Sequence, residues 1–106
     1  MLFKANSNEY LANGVIIDPI PPHVGESVKI TYNGLLPKSG AGDVFAHVGY
    51  GFEWQHPHDV LMTRTPAGFE ATVKTANHDT LCLAFKDAAN NWDNNSGLNY
   101  NFNIHQ

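Results

Sequence analysis

Apolar side chains recur at every second position through most of this chain, and that period constrains its fold more than any other feature. A strand turns successive side chains to opposite faces, so a period of two marks a half-buried strand; a helix needs a period of about 3.6. In SVKITYNG (27–34), Val28, Ile30 and Tyr32 share one face, with Lys29 and Thr31 on the other. DVFAHVGY (43–50) sets Val44, Ala46, Val48 and Tyr50 against Phe45, His47 and Gly49. GFEATVKT (68–75) sets Phe69, Ala71 and Val73 against Glu70, Thr72 and Lys74, and TLCLAFKD (80–87) aligns Leu81, Leu83 and Phe85. LNYNFNIH (98–105) predicts Leu98, Tyr100, Phe102 and Ile104 inward and three asparagines outward. Weaker patterns occupy LANGVIID (11–18) and DVLMTR (59–64). No segment carries a convincing helical stripe.

Turn-forming clusters separate these runs: DPIPP, NG, KSGAG, HPHD, TPAG, ANHD and NNWDNNSG. Seven short strands in 106 residues predict an all-β fold, an antiparallel β-sandwich of immunoglobulin-like build with about seven strands. That length suits one module over 1–106 with one core. The Cys…Trp…Cys pattern of true immunoglobulin domains is missing. The lone cysteine, Cys82, forbids an internal disulfide and is expected as a small buried or half-buried strand residue.

Charge narrows the function classes. The chain has six Lys plus Arg against ten Asp plus Glu, a net charge of −4, with 15% charged residues. Nucleic acids and anionic membranes are met with clustered cations, so neither is the expected partner. A neutral, hydroxyl-rich partner fits the low charge and the many Asn, Thr, Ser and Gly residues better. No apolar run approaches the roughly 20 residues of a membrane-spanning helix. The N-terminus has no charged segment leading into an apolar one, so no signal peptide is expected; the compartment stays open between cytoplasm and an excised extracellular module. Catalysis finds no support: the acids are scattered, and G-x-S-x-G, the P-loop and G-x-G-x-x-G on a βαβ unit are all missing.

Metal is equally unsupported. His56 and His58 in HPH are spaced to chelate only if extended, have no third ligand nearby, and read best as solvated loop histidines beside Pro57. Asp93, Asn94 and Asn95 evoke a calcium loop, yet the ligand order of an EF-hand and its closing Glu are missing. No cofactor is expected, and a structural cation such as calcium in this loop is the lesser alternative.

The two tryptophans say more. Trp54 follows GYGFE, and Trp92 sits within NNWDNNSG. Neither falls on an inward strand register, so each is either a lid over the end of the sandwich or an exposed platform. Sugars favour the second choice. One face of a glucose ring presents axial C–H groups and stacks on indole; its rim of hydroxyls donates to and accepts from amides, carboxylates and imidazole. The last loop holds both chemistries. His47, outward on its strand and near Trp54 in sequence, is either another rim contact or a hydrogen-bonded structural histidine.

ITYNGLL, GAGDVFAHVGYGFEW, GFEATV and FKDAANNWDNNSGLNYNFNI resemble the starch-binding carbohydrate-binding modules of families 25 and 53, from about Gly14 to Ile104. The resemblance implies a β-sandwich that binds α-1,4-glucans such as starch, glycogen or malto-oligosaccharides without catalysis. It implies a platform of His47, Trp54 and Trp92, with Lys86, Asp93, Asn94 and Asn95 as hydrogen-bonding candidates. It also implies two rings set at an angle, which suits a curved α-1,4 chain. Such modules occur in amylases, in starch synthases and as stand-alone bacterial proteins, so a tethered or associated amylolytic enzyme is the implied second partner. QHPHDVLM (55–62) has no counterpart in that pattern. An immunoglobulin-like protein–protein interaction domain, anchored by the loop tryptophans, is the alternative.

Overall fold

The computed structural model describes residues 4–51 and 53–106; Phe52, part of the GYGFE stretch, lies outside them. The expected strands form two antiparallel sheets. The first contains β1 (Val15–Asp18), β2 (Ser27–Tyr32), β5 (Thr63–Thr65) and β6 (Gly68–Lys74), in the order β1-β2-β6-β5. The second contains β3 (Val44–Tyr50), β4 (Gln55–Leu61), β7 (Thr80–Asp87), β8 (Trp92–Asp93) and β9 (Tyr100–Asn103). There β4, β3, β7 and β8 follow one another, and β9 also pairs with β7. The one α-helix among the described residues, α1 (Leu35–Lys38), has four residues, far too few to cross a membrane.

The inward sets are those that alternation requires. Val28, Ile30 and Tyr32 from β2 and Val44, Ala46, Val48 and Tyr50 from β3 are buried, and Phe69 and Val73 join them from β6. Leu81, Leu83 and Phe85 complete this interior from β7. Tyr32 stacks on Phe85 across the two sheets, 3.9 Å between centroids and 2° between planes. Cys82 is buried as expected, its thiol donating to the Gly51 carbonyl at 3.5 Å.

Three expectations fail. QHPH is not a loop: Gln55–Leu61 is an edge strand whose only partner among the described residues is β3, and six of its seven residues are exposed. Such a strand buries no face, so it carries no period to read, and Pro57 is tolerated because an edge leaves N–H positions outside the ladder. DVLMTR is not one strand either. The chain crosses from one sheet to the other at buried Met62, between β4 and β5. Finally, Leu98 is 69% exposed and Asn101 is buried, the reverse of the expected facing. Leu98 belongs to the turn before β9, and Asn101 lies opposite Cys82 with its amide donating to the Leu98 carbonyl at 2.9 Å.

One edge of β7 is covered discontinuously. β8 pairs with Phe85 and Lys86, and β9 pairs with Thr80 through Leu83. Opposite Ala84 neither strand is present. There the chain leaves the sheet as the 94–99 loop and leaves a gap in the outer face.

Candidate functional site

Outward residues of β3, β4 and β7 line up through their registers. His47 faces Asp59 on one side and Ala84 on the other; Phe45 faces Leu61 and Lys86. Trp92 pairs with Lys86 in turn. The sheet thus carries His47, Lys86 and Trp92 together, although 45 positions separate the first from the last.

Trp54 enters from the turn between β3 and β4, at a positive φ of 52°. Its indole lies against Gly49: a Cβ on that glycine would come within 2.4 Å of the ring. Only glycine leaves room for this seat. The indole N–H is buried there with no hydrogen-bond partner among the described residues. Trp54 stacks beside His47 with centroids 5.2 Å apart and planes 15° apart. Trp92 meets the same imidazole edge-on, also at 5.2 Å, with planes 86° apart. The two indoles therefore stand at a steep angle with His47 between them. Both tryptophans were expected in loops, but Trp92 belongs to the two-residue strand β8; it is 43% exposed.

His47, Trp54, Trp92, Ala84, Asn94 and Asn99 enclose a shallow cleft of about 330 Å³. Ala84 forms its floor because the neighbouring strand is interrupted there, and a methyl group leaves the rings proud of it.

Asp59 holds the cluster, and sequence reasoning missed it. Its carboxylate contacts His47 Nδ1 at 2.6 Å and accepts from Lys86 Nζ at 3.0 Å. Burial pushes this carboxyl up, but the hydrogen bonds and charges of His47 and Lys86 outweigh it, and the net displacement is downward. The ionised carboxylate can only accept, so the proton of that contact sits on Nδ1 and Nε2 is left to the cleft. Lys86 Nζ also lies 5.6 Å from the Trp92 ring centre and 5.7 Å from that of Phe45, within reach of a cation–π attraction. The only sequence signal for Asp59 was its place in a histidine-rich stretch; the β3–β4 register reveals it.

The remaining candidates divide. Asp93 is buried beneath the platform, where its carboxylate accepts from Tyr32 Oη at 2.5 Å and from Tyr100 Oη at 2.8 Å. Burial, reinforced by these bonds, raises both phenols well above their usual range, so both remain donors. Because Tyr32 belongs to the opposite sheet, Asp93 ties the layers together and fixes the backbone that carries Trp92. Asn94 and Asn95 open the loop. Asn94 Oδ1 accepts from the Gly97 N–H at 3.0 Å, and Asn95 Nδ2 donates to the Asn99 carbonyl at 3.0 Å. Left-handed φ values at Asn95, Ser96, Asn99 and Gly97 explain much of the asparagine content, since Asn and Gly tolerate that region best. Asn94 Nδ2 and Asn95 Oδ1 make no hydrogen bond among the described residues.

Among the described residues, no group of three or more His, Cys, Asp or Glu side chains is placed to hold a metal ion. His56 and His58 are exposed on β4, where His58 Nδ1 lies 3.0 Å from the His56 carbonyl.

No curated protein and no solved structure matches the chain. A family model does match part of it, a stretch that includes His47, Trp54 and Asp59 and stops short of Lys86 and Trp92. Residues 28–79 match the model of a starch/carbohydrate-binding module (family 53).

Proposed function

We propose that this protein is a non-catalytic module that binds α-1,4-glucans such as starch, glycogen and malto-oligosaccharides. The observation that carries this reading is the ring cluster: an imidazole and two indoles at a steep angle on one sheet face, open beside the small floor of Ala84. Apolar faces of successive glucose units stack on rings so placed, and a chain that bends at each α-1,4 link follows angled rings better than coplanar ones. Rim hydroxyls are met by His47 Nε2, Lys86 Nζ, Asn94 Nδ2 and Asn95 Oδ1. Asp93 acts through Trp92, which it holds in place. A shallow, solvated site of this kind gains little beyond stacking and exchanged hydrogen bonds, so Kd lies at about micromolar to millimolar, roughly −8 to −4 kcal/mol. Tethering to an amylolytic enzyme, or repetition of the module, raises the effective affinity.

Affinity electrophoresis tests the reading. The protein is retarded in native gels that contain glycogen or soluble starch and runs freely without them. Trp92→Ala abolishes retardation while the circular dichroism spectrum is unchanged. Equal mobility of the parent protein in all gels would refute α-glucan binding, and equal retardation of the variant would refute the platform.

A further inference from the structure

Trp92 is a wall of two clefts. Beyond it, away from His47, a second and larger groove of about 500 Å³ runs between the 94–96 loop and α1. Trp92 and Asn94 line both spaces, so the two adjoin at the exposed indole. Asn13, Leu35 and Lys38 form the opposite bank. Leu36 anchors α1 in the core, its N–H donating to Tyr32 Oη at 3.1 Å, and this leaves Leu35 58% exposed in the groove. Gly34 lines the groove too, and its closeness to Asn13 and the Tyr32 ring leaves no room for a side chain.

We propose that this groove receives further glucose units of the same α-glucan chain that the platform holds, so the module engages a longer oligosaccharide than its three rings contact. The inference rests on the platform reading. The groove is larger than the cleft beside His47, so space for one stretch of sugar implies space for a second. Its chemistry repeats that of the platform: indole and Leu35 offer apolar contact, while amides, the Ser96 hydroxyl and the Lys38 amine meet a hydroxyl rim. Lys38 makes no ion pair or hydrogen bond through its side chain among the described residues. A purely apolar partner would leave these polar groups unmatched, and a nucleic acid would find one cation where it needs several.

Calorimetry with maltotriose and maltoheptaose tests this directly. The parent protein binds maltoheptaose about tenfold tighter than maltotriose. In the Leu35→Ala/Lys38→Ala double variant, maltotriose affinity stays within about twofold of the parent and the maltoheptaose advantage disappears. Ala12→Leu, which narrows the same groove, has the same effect. On the unsubstituted protein, the Leu35 methyl resonances shift with maltoheptaose and not with maltotriose, a readout independent of any variant's folding. An unaltered chain-length advantage in both variants, or silent Leu35 methyls, overturns the groove while sparing the platform. Absence of maltoheptaose binding by the parent protein removes both.

Discussion

Gly49→Ala perturbs the platform without substituting any proposed sugar-contacting residue. Gly49 does not lie among the positive-φ residues, so its backbone accepts alanine without strain. The added methyl would sit 2.4 Å from Trp54 Cδ1 and Nε1 and 2.6 Å from Cγ. Carbon contacts settle at about 3.5–4.0 Å, so the indole must retreat by roughly 1 Å or more. The turn that carries Trp54 is tied by its own N–H to the Gly51 carbonyl at 3.1 Å, and the ring is only half-buried, so it swings outward instead of compressing the core. Overpacking in a sealed interior costs about 1–3 kcal/mol; with an open side, the lower end of that range applies. The stack on His47 is lost, and with it one aromatic contact to the sugar, about 1.4 kcal/mol or a tenfold rise in Kd. Calorimetry with maltoheptaose reads the affinity, and a urea melt reads the stability. A double-mutant cycle with Trp54→Ala isolates the cause: in that background, Gly49→Ala changes affinity by less than about 0.5 kcal/mol. If the methyl weakens binding equally with and without the indole, the seat on Gly49 is not what positions the ring.

Asp59→Asn should release His47 and Lys86, weakening glucan binding by about fivefold with little change in thermal stability, as expected at a partly exposed site. The Asp59 carboxyl is lowered in the folded protein, so its contribution to stability is full above the unfolded value of about 4 and lost as pH falls through the lower folded value. Asp79, through its bond from Thr80, and Asp87, through its bonds from Asn91, act in the same direction, so the variant should show a shallower acid loss in urea melts below pH 4 than the parent and not a flat one. Asp93→Asn leaves one of two buried phenols without its acceptor and should cost roughly 1–3 kcal/mol in a urea melt, with glucan affinity falling because Trp92 loosens. An undisturbed melting curve would show that Asp93 does not tie the sheets. The Cys82 thiol, pushed up to about 11 by burial, should react with a thiol reagent at pH 8 only upon unfolding. Prompt reaction in the folded state would contradict its burial in β7.

Strands with one buried face were legible because burial writes a period of two into the sequence. β2, β6 and the first five residues of β3 follow it, and the outward placement of His47 came from the same rule; β7 is buried on both faces from Thr80 to Phe85, and its larger apolar residues still fall on the inward register. β4 was illegible for the converse reason: an edge strand exposed on both faces leaves no apolar trace, and HPH reads as a turn. Leu98 was misplaced because alternation was carried back through a turn that ends only at Asn99, and Asn101 because residues distant in sequence, Ala5 and Tyr10, bond to its backbone and cover an otherwise outward position of β9. In the site, the tryptophans stood out because an indole among asparagines has no obvious packing reason to be there. The groups that position them did not. Asp59 meets His47 only through strand register, and Gly49 matters only because a ring from the next turn lies on it. The asparagines of NNWDNNSG carry two signals at once, left-handed turn geometry and open amides, and only coordinates separate them.

Tryptophan fluorescence during titration with maltoheptaose tests the central claim most directly, because the chain has two tryptophans and both belong to the platform. Stacked sugar should displace water from both indoles and give a saturable blue shift by millimolar ligand, with no response to a β-1,4-linked glucan of equal length. Unchanged emission at millimolar maltoheptaose, or an equal response to the β-linked chain, would contradict the account.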